Sequence, residues 1–158
     1  MPYDSHRAPN CLAFDTMIET PAGDVPVTGV KEGDMVMTVD EKGDRVAKPV
    51  QALGSAIAPP DHVVIRLVLS DGRQLRISPG HATSDGRTIA DLAIGSPYSG
   101  ATVASVEREK YGNAKTYDLR PEGATGHYWA NKVLVGSTLM ETPPQVMEGR
   151  PAEPPPEG

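Results

Sequence analysis

The chain has a single cysteine, Cys11, and a histidine in a turn-forming segment far from it in sequence, Ser78-Pro-Gly-His81. A thiolate is a strong nucleophile once a base has taken its proton. An imidazole, with an ordinary pKa of about 6.5, can accept that proton and give it back near neutral pH. The two residue types together suit acyl transfer from a carbonyl to sulfur. Each also has a plainer use. A lone cysteine commonly serves as a small buried hydrophobe, and Ser78-Pro-Gly makes a turn in which His81 need only satisfy a backbone carbonyl. Cys11, His81 and His127 are soft enough to ligate a metal, but no paired Cys-x-x-Cys or His-x-x-x-His spacing supports it. No cofactor or metal is expected.

The elements that must position these groups read as β. Short β-branched runs alternate with turn residues, and helical periodicity is hardly sustained beyond two turns. His62–Leu69 and Gln74–Ile77 flank Asp71-Gly72, which supplies the positive φ of a tight hairpin. Met35–Val39 and Val46–Val50 flank a longer connection containing Gly43, and Pro49 favours an edge position for its strand. Val27, Val30 and Gly33 share the spacing of Ile89, Leu92 and Gly95, a weak internal repeat that chance also explains.

At 158 residues and 38% apolar composition the chain suits one domain, with aliphatic side chains doing most of the packing because aromatics make up only 4%. Fifteen basic against twenty-one acidic residues leave a net charge of −6 with no Lys/Arg cluster, which argues against a nucleic-acid partner. One cysteine allows no intramolecular disulfide. Residues 1–10 have no apolar run for a signal peptide, and no stretch reaches membrane-spanning length, so the chain as written reads as soluble, without a membrane partner. A monomer is expected. From Glu141 to Gly158 the composition turns to proline and polar residues, and a disordered tail is expected there.

Cys11 with its following Thr20-Pro-Ala-Gly23, then Val30-Lys-Glu-Gly-Asp-Met-Val36, Asp71-Gly-Arg73, Ser78-Pro-Gly-His81 and Tyr117-Asp-Leu119 occur in the order found in the hedgehog/intein (Hint) self-processing domain. Over roughly residues 11 to 138 the chain resembles a bacterial, intein-like member of that family. The resemblance implies a mostly β fold of two pseudo-symmetric β subdomains. It also implies that residues 1–10 are a flanking segment, a possible N-extein, ahead of a domain spanning 11–140. In such domains the cysteine attacks the carbonyl carbon of the residue before it. Here that attack would give a thioester between Asn10 and the Cys11 sulfur as the Cys11 nitrogen leaves. Ser78 and His81 fall on the family's Thr-x-x-His motif, Asp118 on its Tyr-Asp-Leu block, and His127 resembles the histidine of its C-terminal block.

The far end departs from that pattern. A splicing intein ends in His-Asn before Cys, Ser or Thr, whereas the matching tripeptide here is Gly136-Ser137-Thr138, which has no side-chain amide to cyclise. The resemblance therefore implies N-terminal autoproteolysis by an N–S acyl shift without splicing. Its substrate would be the domain's own N-terminal segment, and water or a small thiol would be the acyl acceptor. The competing reading is a catalytically inactive Hint-fold structural or interaction module.

Overall fold

The computed structural model describes residues 11–113 and 115–139. The flanking segment 1–10, including the Asn10 side of the Cys11 peptide bond, lies outside the described residues, as does the tail 141–158 on which the expectation of disorder falls. The described chain is β with two single 3-10 turns and no α-helix. Its strands are β1 (Met17–Thr20), β2 (Gly23–Pro26), β3 (Met35–Val39), β4 (Arg45–Ile57), β5 (Val63–Leu69) and β6 (Gln74–Ile77). They continue as β7 (Pro97–Tyr98), β8 (Ala101–Lys110), β9 (Lys115–Pro121), β10 (Tyr128–Ala130) and β11 (Val133–Val135). Three sheets result, in the orders β11-β10-β1-β2, β3-β4-β9 and β6-β5-β8-β7.

The β-branched runs become strands because successive side chains can be divided between a core and a wetter face. In the β5–β6 hairpin Ile65 faces Ile77 and Leu67 faces Leu75, all of them buried. Gly72 closes the hairpin at φ +95°, in the left-handed region that a side chain would strain. Full burial of a side chain such as Leu67 contributes about 1.5–3 kcal/mol. The β3–β4 hairpin also forms, but Pro49 is not on an edge strand, since β4 lies between β3 and β9. The proline is accommodated because the β9 ladder starts only at Val50↔Pro121, beside a register shift, so its missing N–H falls at the end of that ladder.

The repeat in the sequence is a structural one. Val27–Gly29 and Ile89–Asp91 each form a 3-10 turn, closed by Val30 N–H to the Val27 carbonyl at 3.3 Å and by Leu92 N–H to the Ile89 carbonyl at 3.1 Å. Gly33 and Gly95 follow at φ +89° and +90°. Gly33 N–H then donates to Val50 O at 2.9 Å while Val50 N–H donates to Asp34 O at 2.8 Å. The second half repeats this as Gly95 N–H to Val103 O at 2.7 Å and Val103 N–H to Ser96 O at 2.8 Å. Shared spacing, shared φ and shared hydrogen bonds make chance a poor explanation. The halves then exchange strands, β4 pairing with β9 and β8 with β5. At this crossing Leu12, fully buried, bridges both Ile77 of β6 and Tyr117 of β9, its N–H donating to Tyr117 O at 2.6 Å. Cys11, also buried, is thereby fixed beside this crossing.

Candidate functional site

One residue holds the backbone of Cys11 from both sides. The Cys11 N–H donates to Ser78 Oγ at 3.1 Å, and the Ser78 N–H donates to the Cys11 carbonyl at 3.0 Å. Ser78 directly follows β6, so the hairpin register delivers it to the start of the domain. His81 N–H closes the following turn onto Ser78 O at 3.1 Å, with Pro79 presetting φ at the turn's second position. The second 3-10 turn pins that loop: Ile89 N–H donates to His81 O at 3.0 Å and Ala90 N–H to Pro79 O at 2.9 Å. On the other side of Ser78 stands His62, its Nε2 3.3 Å from Ser78 Oγ and its ring edge-on to Tyr111 at 5.9 Å between centroids. Burial holds the His62 pKa below its ordinary value, against an opposite pull from Asp61.

A second group of hydrogen bonds joins the middle of the chain to its C-terminal end. His81 is fully buried, with Nε2 2.7 Å from the Gly136 carbonyl oxygen and 3.5 Å from the Tyr128 hydroxyl. A carbonyl can only accept, so Nε2 carries hydrogen, and proton exchange at this imidazole would go through Nδ1. Tyr128 donates to Asp118 Oδ1 at 2.6 Å, and Leu119 N–H donates to the same oxygen at 2.8 Å. Asp118 Oδ2 accepts the Thr138 N–H at 2.8 Å and the Thr138 hydroxyl as well. Four donors around a carboxylate that is 1% exposed explain why a charge is tolerated there. Burial first, and then Asp118, hold the Tyr128 pKa well above its ordinary value, and Cys11 is close enough to push in the same direction. Tyr128 is therefore a proton donor, not a phenolate, throughout the neutral range. The segment that brings Thr138 here is anchored by the Thr83↔Val135 bridge and by Gly136 N–H to Ala82 O at 3.1 Å.

Of the residues singled out in the sequence, Cys11, Ser78, His81 and Asp118 lie within these two groups of contacts, and His127 does not. His127 is half-buried, and burial first, then the neighbouring Arg120, lower its pKa, while its backbone carbonyl accepts the Thr38 hydroxyl at 2.6 Å. Side chains alternate along an extended chain, so when Tyr128 turns inward its neighbour turns away. The alternation of fully buried Tyr128 and Ala130 with half-buried Trp129 is the signal that picks out position 128. His62 was also missed. Continuing the β5–β6 register past Ile65↔Ile77 brings position 62 opposite Gly80, next to the Ser78–His81 turn, so the hairpin itself held that information. Among the described residues no group of three or more His, Cys, Asp or Glu is placed to hold a metal ion. No helix among them is long and apolar enough to cross a membrane.

Sheets that exchange strands, with a buried cysteine held beside the crossing, define the class of β-domain to which the chain belongs. A family model described as the Hint domain matches residues 10–105, and the chain belongs to this family. Comparison with curated proteins gives no match. Among solved structures, the chain is similar to a bacterial intein-like domain from Clostridium thermocellum, with 21% identity and a TM-score of 0.70 over 82% of this chain and 99% of that one. It is also similar to a DnaB intein from Synechocystis sp. PCC 6803, with 16% identity and a TM-score of 0.69 over 83% of this chain and all of the intein, 100%. At such identities the likeness concerns the fold, which is the mostly β Hint architecture. Membership supports an autoprocessing type of domain in general terms.

Proposed function

We propose that this domain cleaves its own chain once, at Asn10–Cys11, by an N–S acyl shift, and does not splice. The observation that carries this reading is the two-way clamp of Ser78 on the backbone of Cys11, at 3.1 and 3.0 Å. An amide resists attack because its resonance must be lost, and a site that holds the backbone of the nucleophile in fixed geometry offsets part of the barrier by positioning. Cys11 is the nucleophile and His81, through Nδ1, the acceptor of its thiol proton. The sulfur bonds to the Asn10 carbonyl carbon, the carbon–nitrogen bond breaks, and the Cys11 nitrogen leaves as an amine. Water or a small thiol then takes the acyl group from sulfur. Asp118 and Tyr128 hold the His81 side of the site and keep Thr138 against it. With glycine and serine at positions 136 and 137, no side-chain amide is available to cyclise at the far end.

Incubation of the full chain with dithiothreitol, followed by intact mass spectrometry, tests the reading. Loss of residues 1–10 from the wild type, abolished by Cys11→Ala, is the expected result. An unchanged mass after prolonged incubation refutes the cleavage reading and leaves the non-catalytic Hint module.

A further inference from the structure

We infer that His62 supplies, through the Ser78 hydroxyl, the proton that the Cys11 nitrogen needs in order to leave. This rests on the acyl shift proposed above and assigns a residue that lies in none of the motif segments that point to the site. The geometry is a short chain of three groups: the Cys11 N–H on Ser78 Oγ at 3.1 Å, and His62 Nε2 on the same oxygen at 3.3 Å. The imidazole is held there by its own backbone, since His62 N–H donates to Pro59 O at 2.9 Å and its carbonyl accepts the Tyr111 N–H at 2.9 Å. A histidine needed only to fill space against Tyr111 has no reason to aim a ring nitrogen at the hydroxyl that grips the scissile amide.

The protons balance. As sulfur attacks, the thiol proton goes to His81. In the tetrahedral adduct the nitrogen becomes pyramidal and gains a lone pair, and the Ser78 hydroxyl, which accepts the Cys11 N–H before attack, turns to give its own proton to that lone pair as the carbon–nitrogen bond breaks. The Nε2–H of a His62 imidazolium restores the hydroxyl. One histidine ends protonated and the other neutral, so no outside acid is consumed in the step. The ionisable groups around His62 are Asp61 on its own segment, Tyr111 after β8 and Cys11 across Ser78. Arg76 of β6 lies over the Tyr111 ring at 5.7 Å. Burial favours the neutral imidazole over this set, which makes the imidazolium a readier proton donor than a solvated one.

The test follows release of residues 1–10 from the full chain, with dithiothreitol, between about pH 5.5 and 8.5 for the wild type, His62→Gln and His62→Asn. The ratio of wild-type to variant rate at each pH cancels the dependence on the added thiol. That ratio should be about 10-fold near pH 7 and widen toward lower pH, as expected when a general acid is lost. In a Ser78→Ala background the His62 substitutions should cost nothing further. A ratio that is constant with pH, or near one, shows a space-filling residue and overturns the inference while the acyl shift stands. A wild type that releases nothing overturns both. If both variants lose the native near-ultraviolet circular dichroism, the wild-type profile at saturating thiol decides. A limb on which release speeds up as pH falls through about 6.5 supports the relay, and a profile that only slows on acidification, as protonation of the His81 base alone would give, rejects it.

Discussion

Asp118→Asn should behave as a disruptive substitution despite its near-identical shape. The carboxylate takes four donors, two on each oxygen: the Tyr128 hydroxyl and Leu119 N–H on Oδ1, and both Thr138 groups on Oδ2. An asparagine offers one oxygen and one NH2. Whichever way the amide is turned, one pair of donors then faces other donors in a site that is 1% exposed. Hydrogen bonds to a charged group contribute about 1.5–3 kcal/mol each, and a buried donor left unpaired costs about 1–3 kcal/mol. Partial relaxation of the Thr138 end offsets some of this, so a net loss of about 2–4 kcal/mol is expected. For a domain of this size that lowers Tm by roughly 10 °C. Urea unfolding in a Cys11→Ala background, where cleavage cannot intervene, measures the difference. Adding Tyr128→Phe isolates the cause: alone it should cost about 1.5–3 kcal/mol, and on top of Asp118→Asn at least about 1 kcal/mol less. If Asp118→Asn changes stability by under about 0.5 kcal/mol, or if the two substitutions simply add, the four-donor account is wrong.

Gly136→Ala should weaken the C-terminal anchor. Its Cβ would lie 3.1 Å from the Thr83 carbonyl and 3.4 Å from Ala82 Cβ, and a backbone atom yields less readily than a side chain, so a loss of about 1–2 kcal/mol in thermal unfolding is expected. His127→Gln should leave the rate of release within about 2-fold of the wild type by mass spectrometry, whereas Tyr128→Phe should slow it by about 10-fold or more. Stability should fall on acidification. The His62 and His127 pKa values are lower in the folded state than the ordinary 6.5, so the unfolded chain binds more protons below that pH and the folded state loses stability as pH drops through this window. Urea midpoints at pH 7.5 and about 5.5 should therefore differ, and His62→Gln should reduce the difference.

How far the fold could be read from the sequence depended on whether the signal was local. Asp71-Gly72 fixes a hairpin within a few residues, and the wild spacing of Val27, Val30 and Gly33 returns at Ile89, Leu92 and Gly95 because each triplet closes a turn with its own hydrogen bonds. The exchange of β4 and β8 between halves is not local. Nothing in the composition of β9 says whether it pairs with β8, its neighbour in sequence, or with β4. Pro49 misled for the same reason, since a proline reports on its own missing N–H but not on where a distant ladder begins. Residue types pointed to the thiol and the imidazole, and family resemblance to Ser78 and Asp118. His127 was singled out by its resemblance to the histidine of the family's C-terminal block. Strand alternation, which needs the register of β10 on β1, turned the tyrosine inward instead.

That inward turn has a consequence for the domain as a unit. Tyr128 touches the His81 side of the site and Asp118 at once, and Asp118 in turn grips Thr138, so the segment after β11 is tied to the same buried network that faces Cys11. The Gly136 carbonyl adds a second tie, to His81 Nε2. The Gly136-Ser137-Thr138 segment thus folds into the site and, through the Gly136 carbonyl, fixes which His81 nitrogen carries hydrogen. Under the proposed acyl shift, that segment is a structural part of the site at Cys11. Loosening it, as Gly136→Ala should, is expected to slow release at Asn10–Cys11 as well as lower stability, because the tautomer of His81 would no longer be set by the Gly136 carbonyl.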